Sequence, residues 1–182
     1  MSLDFTEKKS YSAIEAGEYE AYIDNAEIKT SQTGKHYIAL TFIIRGDVDQ
    51  PYKGRRLWEN IWENDVYVLN GKRIKKEDYQ NLKPKDKEQV NISTEYSDFK
   101  IRNLIQAQDA DEENWHTKFE NMDEVVLFLN QMNLRIKVNK VADNSTGVEK
   151  NEVDFKGLKR TAVVSMEKSR NLEKVDEDDL PF

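Results

Sequence analysis

Lys53, Arg55, Arg56, Trp58 and Trp62 bring three cations and two indole rings together within ten residues. An unpaired nucleic acid strand displays phosphates and base faces at once, and these residue types meet both. Lys and Arg neutralise phosphate, and a flat ring stacks on any base for ~1 to 3 kcal/mol. Lys35 and Tyr37 lie one turn and one strand earlier. Lys72 and Arg73 follow an Asn70-Gly71 pair, with Lys75 and Lys76 just beyond. The competing assignment is ordinary: Trp is highly buried on average, and arginine side chains often do no more than solvate a face. The sequence leaves Trp58 and Trp62 divided between these two roles.

A second constellation closes the chain. Asp176, Glu177, Asp178 and Asp179 are followed by Leu180, Pro181 and Phe182. Acidic ends are common solubilising tails, which accounts for the four carboxylates but not for a terminal Leu-Pro-Phe. Negative charge, a backbone preset by proline and an aromatic ring suit an apolar pocket rimmed by Lys or Arg on another protein. The tail therefore reads as a partner-binding peptide.

Catalytic chemistry finds little purchase. The chain has no cysteine, which removes thiolate metal sites and cysteine nucleophiles. Its two histidines, His36 and His116, are far apart in sequence and read as surface or strand residues. There is no phosphate-binding glycine loop and no nucleophile elbow. Glu152 and Asp154 are the nearest approach to a metal-dependent nuclease site, in a chain so charged that such neighbours arise by chance. The expectation is a protein that is not an enzyme, with no catalytic residues, no metal and no cofactor.

The net charge of −7 on its own argues against nucleic acid, but the charges are sorted. The four acidic groups of the tail would take −7 to −3 if removed. From Pro51 to Arg102, twelve Lys or Arg face nine Asp or Glu. No apolar run approaches a membrane span and the start lacks a secretory signal, so the expected place is the cytoplasm.

The elements that must position these residues follow from periodicity. Charged residues make up 35% and hydrophobic ones 37%, enough apolar content for one folded domain with looser parts. Residues 1–16 read as a loosely held leader. A first strand runs roughly from Glu18 to Lys29, its phase shifting between Ile23 and Ala26, which predicts a bulge. His36 to Arg45 is a second strand with Ile38, Leu40, Phe42 and Ile44 on one face and Tyr37, Ala39, Thr41 and Ile43 on the other. In a third strand, Gly54 to Trp62, Leu57 and Ile61 oppose Arg56, Trp58, Asn60 and Trp62. Asn70-Gly71 predicts a hairpin turn within an excursion spanning 65–93. A helix of about fifteen residues is expected from Thr94, and another over Asn121 to Gln131 with Met122, Val125, Val126 and Leu129 as its stripe. Strands over Leu134 to Val141 and Val148 to Lys156 complete a domain of 17–165, and 166–182 form a linker and the acidic tail. The fold expectation is mainly β with minor α: five strands in an OB-fold-like barrel, helical material between the third and fourth strands, and a disordered C-terminal tail.

The tail resembles that of bacterial single-stranded DNA-binding proteins, which end in acidic residues and Ile-Pro-Phe. Met1-Ser2-Leu3-Asp4-Phe5, Gly17-Glu18-Tyr19 and Gly54-Arg55-Arg56-Leu57-Trp58-Glu59-Asn60-Ile61-Trp62 resemble a phage-encoded family of such proteins. This resemblance implies an OB-fold that coats single-stranded DNA in replication, recombination or repair, in the cytoplasm of a bacterial host. It also implies that the tail recruits replication, recombination and repair proteins. The short charged linker departs from the long Gly- and Gln-rich linkers of the bacterial proteins, so tetramer assembly is not carried over, although a homo-oligomer is compatible with the chain. Two other readings stand beside it: an adaptor that uses the tail without touching DNA, and the nuclease built on Glu152 and Asp154.

Overall fold

The computed structural model describes residues 12–108 and 114–163, and its organising element is one mixed-length antiparallel sheet. β1 (Gly17–Thr30), β2 (His36–Ile44) and β3 (Arg56–Leu69) form a meander, and β3 turns back into β4 (Lys72–Ile74). Two short helices, α1 (Lys76–Asn81) and α2 (Pro84–Lys87), lead to β5 (Val90–Tyr96). Then come α3 (Asp98–Gln108), α4 (Trp115–Lys118), α5 (Met122–Leu129), β6 (Asn133–Ala142), β7 (Glu149–Val153) and β8 (Lys159–Arg160). The strand order is β4-β3-β2-β1-β6-β7, with β5 also on β3 and β8 also on β6.

Alternation decides which side is core. Ile38, Leu40, Phe42 and Ile44 of β2 are buried, as are Leu57 and Ile61 of β3 and Leu134, Ile136 and Val138 of β6. They meet Ile101, Leu104 and Ile105 of α3 and Val125 and Leu129 of α5, the apolar stripes of those helices. Met122 and Val126 are only partly buried at the margin of that stripe.

The expected bulge is present: the β1–β2 register shifts between Ile23 and Asn25, leaving Asp24 without a register partner in β2. Bending there lets one strand serve two neighbours, β6 along Gly17–Tyr22 and β2 along Ala21–Thr30. Beyond the bulge Asn130 takes the place of a strand, accepting from Ala26 N at 2.8 Å and donating to the Ala26 carbonyl at 3.0 Å.

Several expectations need correction. Eight strands replace five, and they form an open sheet: β3 and β7 face each other across the remaining gap without a ladder, bridged where Val153 N donates to Glu59 Oε1 at 2.8 Å. The helix expected from Thr94 starts at Asp98, because β3 runs on past Trp62 and supplies a ladder for Val90–Tyr96. The excursion is therefore a ribbon of β3, β4 and β5, and Tyr79 of α1 stacks on Tyr67 at 4.5 Å. The returning strand ends at Val153, followed by a 3-10 turn over Phe155–Gly157. The leader is held from residue 12 onward: Ile14 is fully buried, and Asn151 accepts from its N–H and donates to its carbonyl, both at 2.8 Å. Among the described residues no helix is long and apolar enough to cross a membrane. The tail expected to be disordered lies outside the described residues.

Candidate nucleic-acid interface

The alternation that buries Leu57 and Ile61 turns Arg56, Trp58, Asn60 and Trp62 to the outer side of β3. The register sets Tyr37 opposite Trp62, Ala39 opposite Asn60, Thr41 opposite Trp58 and Ile43 opposite Arg56. Trp58 is 70% exposed and Trp62 39% exposed. Tyr37 and Trp62 lie ring against ring, centroids 4.5 Å apart and planes at 32°, so their orientation is set before any ligand arrives. Trp58 stacks on no ring among the described residues. The two indoles are four positions apart, a spacing of ~13 Å along β3.

The cations expected beside these rings divide into two groups. Lys35 is exposed in the tight turn from β1 to β2, closed by Ser31 N donating to the Lys35 carbonyl at 2.8 Å, with Gly34 at φ 83°. Lys53 is exposed in the loop before β3, and Arg56 stands at the near end of the aromatic row. None of these three forms an ion pair among the described residues. Arg55 is directed elsewhere: its Nη2 donates to the Ser12 carbonyl at 2.9 Å and ties down the leader.

Lys72 and Arg73 lie in the ribbon, past a two-residue turn in which Asn70 (φ 52°) and Gly71 (φ 75°) both take the left-handed conformation that such hairpins demand. Arg73 is occupied by Glu95, to whose oxygens Nη2 donates at 2.8 and 2.7 Å. Lys72 is exposed and opposite Leu69. The structure thus gathers Lys35, Tyr37, Arg56, Trp58 and Trp62 on or beside one face, and sets Arg55, Lys72 and Arg73 apart from it.

The outer side is covered around Glu20 and Arg45. After Gly157 the chain crosses over the sheet, and a Cβ at that glycine would meet Lys137 Cβ and Cδ at 2.6 Å. β8 pairs with β6, and Thr161, Ala162 and Val163 then pass over β1 and β2. The fully buried Arg45 donates to Asp47 (3.0 and 2.7 Å), Thr161 Oγ1 (3.1 Å) and the Val163 carbonyl (3.3 Å). Buried Glu20 accepts from Thr161 Oγ1 at 2.5 Å, Ala162 N at 3.0 Å and Arg135 Nε at 3.1 Å. Periodicity gave no sign of this strap, because charged residues on a strand read as exposed.

The carboxylates considered for metal chemistry have other partners: Glu152 pairs with Lys150 at 3.6 Å and Asp154 with Lys137 at 3.7 Å. Among the described residues no group of three or more His, Asp or Glu is arranged to hold a metal ion. His36 and His116 are both exposed, the latter 2.9 Å from Asp98 and packed against the Trp115 ring. Sequence reasoning gives Phe99, at the start of α3, only a place in the helical spacing, and gives neither it nor Lys100 a binding role. Phe99 is 48% exposed although its spacing fits the helix stripe. The tail from Asp176 to Phe182 lies outside the described residues.

Residues 1–166 match a family described as a protein of unknown function, DUF669, and the chain belongs to that family. No curated protein matches the chain.

Proposed function

We propose that the protein binds single-stranded DNA on the outer face of β2 and β3, with little sequence preference, and serves replication, recombination or repair. The observation that carries the reading is the 70% exposure of Trp58 on a regular strand. Exposed, it leaves apolar surface in water with no packing return, and stacking on a base offsets that cost. Trp62 and Tyr37 supply a second platform, and Lys35, Lys53 and Arg56 supply charge for phosphate. Backbone phosphates and stacking faces are common to all four nucleotides, so such a surface reads the strand rather than the sequence.

The connectivity supports an OB-fold-like assignment. A β1-β2-β3 meander is followed by α3 and then β6 and β7, with β6 back on β1 and β7 brought to the free edge of β3. A small barrel that is open between its third and last strands has this order, and its second and third strands form the usual ligand face. The tail from Asp176 to Phe182 is the proposed docking peptide for partner proteins, on the strength of its sequence.

Titration with oligo-dT tests the reading. Quenching of Trp fluorescence, weaker binding at higher salt and preference for single over double strands are expected; equal affinity for duplex would refute it. Removing Phe182 should abolish binding by a purified replication or recombination partner while leaving oligo-dT affinity unchanged.

A further inference from the structure

The open flank of the sheet adjoins the aromatic face. Between β3 and β7 lies a groove of 410 Å³, lined among others by Glu59, Phe99, Lys100, Asn139 and Lys156. Phe99 stands at its edge, 48% exposed on the first turn of α3. Lys100 Nζ donates to the carbonyl of Asn60 at 3.1 Å and sits 4.8 Å from the Phe155 ring centre. Asn60 is the outer-face residue between Trp58 and Trp62, so Lys100 touches the strand that carries both indoles.

Charge within the groove is not balanced evenly. Glu152 and Asp154 are paired with Lys150 and Lys137. Glu59 accepts from Val153 N, and burial pushes its carboxyl above the ordinary value, against the opposing effects of that hydrogen bond and of Lys100. Lys100 and Lys156 form no ion pair among the described residues. The groove thus offers an exposed ring beside two ammonium groups outside any ion pair, Lys156 at the surface and Lys100 held by the Asn60 carbonyl, the same pairing of chemistries found on β2 and β3.

We infer that this groove is a second contact site for the same DNA strand, which crosses the free edge of β3 to stack a base on Phe99 and set phosphate against Lys156 and Lys100. This rests on the proposed function. The strap lies over Glu20 and Arg45, and the β3 edge brings a strand leaving Trp58 and Trp62 to an aromatic ring flanked by lysines.

Oligo-dT of increasing length, titrated against the full chain and its Trp58→Ala, Phe99→Ala and Lys156→Gln variants, tests the inference. The shortest oligo that binds the wild type should bind Phe99→Ala and Lys156→Gln equally well. At longer lengths the wild type should gain affinity and Phe99→Ala should lag by about fivefold or more, the lower end of one stacking interaction. Photo-crosslinking with 5-iodouracil in the long oligo should label Phe99. If both groove variants match the wild type at every length while Trp58→Ala is impaired, the groove is refuted and the β2–β3 site stands. If the wild type binds no oligo, the proposed function itself falls.

Discussion

The outer side of the sheet has two halves that reverse the usual rule of polar out and apolar in. Over β6, β1 and β2 it carries Glu20 and Arg45, which are buried, and over β2 and β3 it carries Trp58 and Trp62, which are exposed. The strap makes the difference: Thr161, Ala162 and Val163 lie over Glu20 and Arg45 and satisfy their charges, and among the described residues Trp58 has no such cover. Burial on a sheet is decided by what crosses it, and a bare aromatic row beside a covered ionic one marks where an outside molecule is expected.

Removing Arg45 should break the covered half most severely. Arg45→Ala removes the buried guanidinium that holds Asp47, Thr161 and the Val163 carbonyl together, and a loss of ~3 to 5 kcal/mol is expected in denaturant unfolding. Trp58→Ala should do the opposite: unfolding changes by no more than ~0.5 kcal/mol, while oligo-dT affinity falls by ~1 to 3 kcal/mol. Comparable effects of both substitutions on stability would erase the contrast between the halves. A smaller change is expected for Arg56→Ala, which should lower the slope of log affinity against log salt by about 1 if it meets one phosphate.

The smallest effect tests the seam. Burial raises the Glu59 carboxyl above its ordinary value, so the folded state favours the protonated form, and this contribution to stability is lost as pH rises through the folded pKa. Glu59→Gln keeps an oxygen for Val153 N without a charge. Its melting temperature should therefore fall less than that of the wild type between weakly acid and neutral pH.

Local pattern made much of the fold legible. The alternation of β2, the phase shift in β1, the Asn70-Gly71 turn and the Val125 and Leu129 stripe of α5 all depend on residues within a few positions of one another. β5 was hidden because Asn91, Ser93, Thr94 and Glu95 carry no apolar alternation, and they become a strand only through the extension of β3. The side on which Trp58 lies was readable from its neighbours, but its exposure was not, since that depends on where the strap stops. Arg45 and Glu20 were unreadable for the same reason, their partners standing 116 and 141 residues away. Phe99 fitted a helical spacing, yet the groove beside it exists only because β3 and β7 fail to pair.

The contact between Glu20 and Thr161 also orders events in time. A chain emerging from the ribosome makes its first three strands early, but Arg45 and Glu20 have no strap until Thr161 has been synthesised. Until then two charged groups destined for the interior stay hydrated, and Ile14 waits for Asn151, 137 residues later. Completion of the fold is thus tied to the last stretch of the domain, and a chain interrupted before Thr161 would carry all its stacking residues on a sheet that cannot finish closing over its ions.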